Sequence, residues 1–502
     1  MALIPLFLLG LIALLTGVYL YIKHNYTYWR KRGVPYLEPS LPFGNIRAFN
    51  RILHSSQRIG RLYDQLKGKG PFAGIYLFHQ PVVLATDLDF VKTVLIKDFN
   101  SFRDRGMYFN ERDDPLTGNL FSVDGPKWRQ LRLKLTPTFT SSKMKFMFPI
   151  IVEVGEQLQI ALRKQFEQSP EVEIKDILAR YTTDVIGTCA FGIECNSLKD
   201  PQAEFRVMGK KVFDTPRSGI FKRIFMATSR DLAKKLKLKR YHDDVSEFFM
   251  KVVREAINLR KDHGVQRNDF MDLLIQLMDT GKIKDDPDSE VGKITFEQLA
   301  AQAFVFFLAG FETSSNSMAY VLYELALNQD IQDKARKSID ETLKKHDGQL
   351  TYESLMEMTY IHQIVYESLR KYPPSGLVFR VATENYSVPD TDKIIEKGTM
   401  VMVPVYGIHH DPDFYPDPEV FNPDRFAPDA ERNANAFLPF GEGPRTCIGL
   451  RFGLMQARVG IAMLLRQFKF SICDKTMIPL VFATNNVVLS PKGGLYLKIE
   501  TV

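Results

Sequence analysis

Read as a pattern of apolar and polar positions, the chain begins with an uncharged, almost wholly apolar run at 2–22, about the ~20 residues that a membrane-spanning helix needs. Lys23, His24, Arg30, Lys31 and Arg32 follow directly. A secretory leader would carry its positive charges ahead of the apolar run, and none precede this one. Positive flanks stay cytoplasmic, so the pattern predicts a signal anchor at 1–22 with a luminal N-terminus and the remaining chain in the cytosol. Pro35, Pro39 and Pro42 exclude a helix over 33–44 and predict a stiff, basic and proline-rich hinge over 23–44.

Beyond the hinge, β-branched and apolar residues bounded by Gly74 and Asp87 predict a hairpin over 76–86, with Pro81 near its turn or edge. Helical periodicity then dominates, over 88–98, 143–165, 175–190, 242–262, 269–279, 295–327, 329–345, 360–371 and 450–465. Strand-like pieces return at 376–382, 394–405 and 477–500. No repeat of 20 to 50 residues interrupts the chain. The simplest reading is a single large domain over 45–502, mainly α with a minor β part. The basic stretch 222–240 is punctuated by Ile224, Phe225, Leu232, Leu236 and Leu238, which fits either a solvated helix face or a segment lying on a membrane surface.

Composition narrows the class. With 502 residues, 45% hydrophobic, and 37 Phe, the chain can bury a large core. A net charge of +7 is modest at this length and accompanies no basic-aromatic motif, so nucleic acid is not an expected partner. Four cysteines, Cys189, Cys195, Cys447 and Cys473, show no C-x-x-C spacing, which argues against a disulfide scaffold or zinc ribbon and fits a reducing compartment.

Chemistry concentrates in a few stretches. In Phe440-Gly441-Glu442-Gly443-Pro444-Arg445-Thr446-Cys447-Ile448-Gly449, glycines and proline forbid regular structure before Cys447, and a helix starts just after it. Orphan N–H groups and the helix dipole favour a thiolate there, with Arg445 adding positive charge, although a structural cysteine on a turn has the same local look. The long helix beginning at the Thr295/Gln298 capping pair carries Ala309-Gly310-Phe311-Glu312-Thr313-Ser314-Ser315 at its middle. A packing glycine with helix-bonded hydroxyls explains that stretch; so does a proton-delivering carboxylate and hydroxyl. Glu367 and Arg370 stand at i and i+3 on a helix closed by Pro373 and Pro374, and Trp128 and Arg132 share a face of a helix starting near Asp124. An indole N–H and a guanidinium one turn apart suit a carboxylate. His409-His410 on a strand would point to opposite faces and make no metal site, and Gly441-x-Gly443 lacks the third glycine of a dinucleotide loop.

Taken together, Phe-x-x-Gly-x-Arg-x-Cys-x-Gly at 440–449, Ala-Gly-x-Glu-Thr at 309–313, Glu-x-x-Arg at 367–370 and Pro-x-Arg-Phe at 423–426 resemble the motifs of cytochrome P450 monooxygenases, in their order. Asp424 stands where many relatives have Glu. General similarity is strongest to the insect microsomal family-6 enzymes, associated with xenobiotic and plant-toxin oxidation, and next to vertebrate drug-metabolising relatives.

The resemblance implies that fold, with small β-sheets and an N-terminal anchor. It implies haem b with Cys447 as axial thiolate, and Phe440, Gly443 and Gly449 around it. Trp128, Arg132, Arg445, Arg380 and Arg105 would hold the propionates. Thr313 would orient bound oxygen, and Glu312 would belong to the proton path. Val305, Ala309 and Leu377 would meet substrate, with further pocket walls at 104–122, 205–245, 375–378 and 483–488. Glu367, Arg370 and Arg425 would be architectural. No flavin or nicotinamide site is evident, so electrons from NADPH would arrive through NADPH-cytochrome P450 reductase, with cytochrome b5 as a further partner. Arg129, Lys134 and Arg451 are the basic contacts expected for docking. One atom of O2 would enter a lipophilic substrate on the cytosolic face of the endoplasmic reticulum membrane. The alternatives are an endogenous steroid, terpenoid hormone or fatty acid as substrate, a reductase-independent isomerase or dehydratase, and a non-catalytic haem carrier or sensor.

Overall fold

Val82, Val83 and Leu84 are stiff at χ1 or bulky enough to pack on a pleated surface, and all are buried. In the computed structural model they belong to a strand, Gln80–Ala85, paired antiparallel with Phe72–Leu77. The structure describes residues 3–45, 52–264, 267, 269–282, 292–484 and 486–502. Residue 2 of the expected anchor and residue 485 of the expected 483–488 pocket wall lie outside them. The predicted hairpin is present but starts four residues earlier, because Ala73 and Gly74 conceal strand character in the sequence.

The chain divides into two compact units built from interleaved segments. The first comprises Met1–Arg105, Ser375–Pro416 and Asn433–Thr446. Its core is a four-stranded sheet in the spatial order Phe72–Leu77, Gln80–Ala85, Met400–Val403, Val378–Val381, with a parallel contact only between the second and third. An apolar helix, Leu3–Asn25, leads into it, with exposed side chains from Phe7 through Tyr21. Among the described residues it is the one helix long and apolar enough to cross a membrane. The proline-rich segment expected as a spacer is laid on the sheet edge: Gly74 N donates to Pro35 O at 2.7 Å, and Tyr36 and Gly44 bridge to Gly74 and Leu77. Proline lacks a donor but its carbonyl still accepts, so the segment satisfies an edge strand without becoming one.

The second unit comprises Gly106–Pro374, Asp417–Arg432 and Cys447–Val502. Its axis is the helix Phe296–Leu327, with both elements of the capping box at Thr295 and Gln298 formed. Helices Ile174–Ile186, Thr359–Lys371 and Leu450–Gln467 pack against it. Gly310 allows the first of these to approach, since a Cβ there would lie 2.5 Å from Ile186 Cδ1. Further along, Phe205, Phe249, Phe304 and Phe307 form an edge-to-face cluster, each such pair contributing roughly 0.5–1.5 kcal/mol beyond burial.

Helices cover every stretch of helical periodicity, with the predicted 88–98 and 175–190 ending in π turns at Thr93–Lys97 and Gly187–Phe191. Sequence reading missed Ser55–Leu66 and Glu204–Asp214. Two strand expectations need correction. Within 477–500 only Tyr496–Thr501 forms the end strand, because Pro479, Pro491, Gly493 and Gly494 break what precedes it. Within 394–405 a turn at Gly398 separates Ile394–Ile395 from Met400–Val403.

Candidate active site

In the first unit, three arginines gather. Arg380 lies in the strand Val378–Val381 and is 1% exposed; Arg445 closes the 3-10 turn Gly443–Arg445 and is 2% exposed. Arg105 Nη2 donates to Arg445 O at 3.4 Å. Burial, and after it the charge of Arg445, push the Arg380 guanidinium down to about 9. Its Nη1 donates to Phe379 O at 2.8 Å, while its buried Nε has no hydrogen-bond partner among the described residues. Like charges in a dry interior are costly unless an anion offsets them. This cluster is built for a carboxylate or phosphate. Gly443 positions the turn: its φ of +71° suits glycine, and a Cβ would stand 1.9 Å from Leu95 O. Phe440 and Leu377 are half-buried, Leu377 against the sheet core.

In the second unit, Cys447 is exposed and lies just before the helix Leu450–Gln467, which Gly449 caps. The helix Gly125–Leu135 carries Trp128, buried, and Arg132, half-buried. Burial lowers the Arg132 pKa, and the sulfur of Cys447 partly opposes that shift. The guanidinium is thus close enough to act on the thiolate. Gly449 has no steric need to be glycine, as its nearest neighbour would be Phe139 Cε1 at 3.9 Å from a Cβ.

On the long helix, Val305, Ala309 and Thr313 follow at four-residue steps along one face. Ala309 is exposed and the other two are half-buried, whereas Phe304, Phe307, Phe311 and Glu312 are buried. The helix therefore bares a narrow stripe of small side chains. Thr313 Oγ1 donates to Ala309 O, and Ser315 Oγ to Phe311 O at 2.9 Å, so the hydroxyls return to the backbone without breaking the helix. Glu312 turns toward another network. Its Oε1 accepts from Lys175 Nζ at 2.7 Å and Ser490 Oγ at 3.1 Å, and Asn316 Nδ2 donates to Ser490 Oγ at 2.9 Å. Sequence reading missed Lys175 and Ser490. A single lysine in the first turn of an amphipathic helix carries no signal beyond an ordinary solvated charge.

Glu367 and Arg370 are both fully buried and meet through two 2.8 Å hydrogen bonds, Nε to Oε2 and Nη2 to Oε1. Arg425 Nε lies 3.5 Å from Glu367 Oε1, and Asn422 N donates to the same oxygen at 3.0 Å. Of the expected docking cations, Arg129 is exposed, Lys134 Nζ donates to Lys293 O at 2.7 Å, and Arg451 Nη1 to Ser141 Oγ at 3.2 Å. His409 ends a helical turn, Val405–His409, and not a strand as the sequence suggested; its Nε2 accepts from Leu438 N at 2.9 Å. Among the described residues no cluster of three metal-capable side chains occurs.

A family model described as Cytochrome P450 matches residues 35–499. Probable cytochrome P450 6a20 of Drosophila melanogaster is 47% identical over 498 residues, covering 98% of this chain and 99% of that protein. Cytochrome P450 6a2 of the same organism is 45% identical over 505 residues, covering 99% of each. Cytochrome P450 6A1 of Musca domestica is 43% identical over 505 residues, covering 99% of this chain and 98% of its own.

Proposed function

The chain belongs to the cytochrome P450 family, whose members are haem-thiolate monooxygenases that generally draw on redox-partner reductases, and from that premise we propose a more specific role. It is a membrane-anchored enzyme of the endoplasmic reticulum, its catalytic part cytosolic, that inserts one atom of O2 into lipophilic xenobiotics such as plant toxins or insecticides. Electrons come from NADPH through NADPH-cytochrome P450 reductase, with cytochrome b5 as an accessory donor. The observation that carries the cofactor assignment is the buried pair Arg380 and Arg445, two cations in need of an anion, which fits haem b with its two carboxylates. The apolar helix Leu3–Asn25 supports the anchor.

Haem with an axial thiolate supplies the binding and reductive cleavage of dioxygen. Cys447 would be that ligand, its thiolate favoured by the helix N-terminus and by Arg132. Arg105, Arg380 and Arg445 are suited to bind carboxylate, as are Trp128 Nε1 and Arg132. Val305 and Ala309 offer an apolar surface to a lipophile, small enough at Ala309 to admit close approach. Thr313 Oγ1 is spent on Ala309 O and must rotate away to orient an external oxygen. Glu312 can hold or release a proton at Oε2, because Oε1 is engaged by Lys175 and Ser490.

The carbon-monoxide difference spectrum of the reduced protein, beside that of Cys447→His, tests the centre of this reading. A red-shifted band lost in the variant supports thiolate ligation by Cys447. A band typical of nitrogen ligation in the unmodified protein overturns it. Turnover of a panel of plant toxins and of endogenous lipids, with NADPH and reductase, then tests the substrate class.

A further inference from the structure

Trp29 makes a rigid joint where a flexible tether would be expected. It lies in a short helix, Tyr28–Lys31, three residues beyond the end of Leu3–Asn25, and is 1% exposed. Its indole Nε1 donates to Ile75 O at 3.1 Å, and its backbone N to Tyr76 Oη at 3.2 Å. Tyr76 Oη in turn donates to Tyr26 O at 2.9 Å. The ring lies flat on Gly74, where a Cβ would come within 2.3 Å of the indole. Arg32 stacks 3.6 Å from the Tyr28 ring centroid and pairs with Glu396 at 2.5 Å. Before the joint, the Tyr21 ring already reaches that of His79, with 5.6 Å between centroids. Helix and hairpin therefore move as one body.

We infer that the hairpin tip, Phe78 and His79, together with Leu41 and Phe43 of the neighbouring turn, is a second lipid-contact surface lying in the headgroup layer of the bilayer that the N-terminal helix spans. The inference rests on the proposed membrane anchor. Residues 3–22 at 1.5 Å per residue cover about 30 Å, the thickness of the hydrocarbon core. Lys23 then marks the interface, and Tyr21 stands one position inside the last apolar residue. Because His79 touches Tyr21, the tip is level with that boundary. Its chemistry suits the place: Phe43 and Phe78 contact edge to face at 6.1 Å, Leu41 is 44% exposed, and amphipathic aromatic groups favour membrane interfaces. The backbone adds a second observation. Phe78 has a φ of +54° in a two-residue hairpin turn, a position that favours glycine, and a left-handed L-residue costs roughly 1–2 kcal/mol. A bulky ring held there against that cost has a use that glycine could not supply.

The test uses the full chain in phosphatidylcholine vesicles with and without bromine on the acyl chains, reading tryptophan emission above that of the unmodified protein. Phe78→Trp and Ile12→Trp should both lose emission to brominated lipid, and Lys69→Trp, at the opposite end of the hairpin, should not. Adding Tyr76→Phe, which removes the bridging hydroxyl, should reduce the quenching at position 78 and leave that at position 12. Quenching at 12 without quenching at 78 overturns the inference and leaves the anchor standing. An unquenched Ile12→Trp overturns the anchor, and the inference with it.

Discussion

Lys175 Nζ lies 2.7 Å from Glu312 Oε1, joining the first turn of one helix to the middle of the long helix Phe296–Leu327. The ion pair is mostly enclosed, with side-chain exposures of 21% and 9%. Removing one partner from such a pair strands the other charge, whereas removing both can be nearly neutral. Lys175→Met should therefore cost about 1–3 kcal/mol of stability in urea unfolding, and Lys175→Met/Glu312→Gln should recover most of it. Equal losses in the single and double variants would show that the pair contributes no coupling.

Arg380 and Arg445 invite the opposite experiment, one in which a substitution stabilises. Without an anion, each guanidinium raises the cost of burying the other. Arg380→Met should raise the unfolding midpoint of the haem-free protein and at the same time speed haem loss to a scavenging apoglobin by roughly 10–100-fold, the worth of a lost charge-assisted hydrogen bond. A slower or unchanged haem loss would remove Arg380 from the carboxylate-binding set.

The sequence disclosed whichever features obey a period or a motif. The long helix was legible because Thr295 and Gln298 announce its start and apolar residues run on without a breaker; the Cys447 loop was legible because its glycines and proline exclude all else. What escaped depended on tertiary contacts. Nothing local distinguishes Lys175 from a solvated lysine, and nothing in Trp29 tells that Gly74, 45 positions away, leaves room for its ring. The stretch 477–500 misled because apolar residues between prolines and glycines look like strand while lacking donors and partners for a ladder.

Two glycines of the cysteine loop should respond differently to alanine. At Gly443 the added Cβ meets Leu95 O at 1.9 Å and the φ is +71°, so Gly443→Ala should destabilise even the haem-free protein by about 2 kcal/mol or more. At Gly449 the nearest atom is 3.9 Å away, so Gly449→Ala should leave haem-free stability within about 0.5 kcal/mol and act, if at all, on haem affinity. Thermal unfolding of both variants, with and without added haemin, separates steric need from cofactor contact.

Glu367 is fully buried against Arg370 and also serves Asn422 N and Arg425. Glu367→Gln keeps the shape but strands the Arg370 charge, and should cost about 3–5 kcal/mol, a large part of the total stability of a domain. Expression at reduced temperature followed by denaturant unfolding reads this directly. A loss below about 1 kcal/mol would mean that the ion pair is a surface-like contact despite its burial.

His362 gives the fold a predictable weakness toward acid. Its ring lies 3.9 Å from that of Tyr366, and burial, then the charges of Arg458 and Arg432, push its pKa down to about 4 from an ordinary 6.5. Above 6.5 the imidazole is neutral in both folded and unfolded chains and has no effect on stability. As pH falls from 6.5 toward 4, the unfolded chain takes up a proton that the folded ring refuses, so stability declines across that window and levels off below it. Partial solvent access limits the loss to about 1–2 kcal/mol. His362→Gln should remove this component: the drop in unfolding free energy between about pH 7 and about pH 5 should shrink by roughly that amount relative to the unmodified protein. Parallel pH profiles for the two proteins would instead show that His362 protonates freely in the folded state, and that the aromatic stack with Tyr366 does not exclude the charged ring.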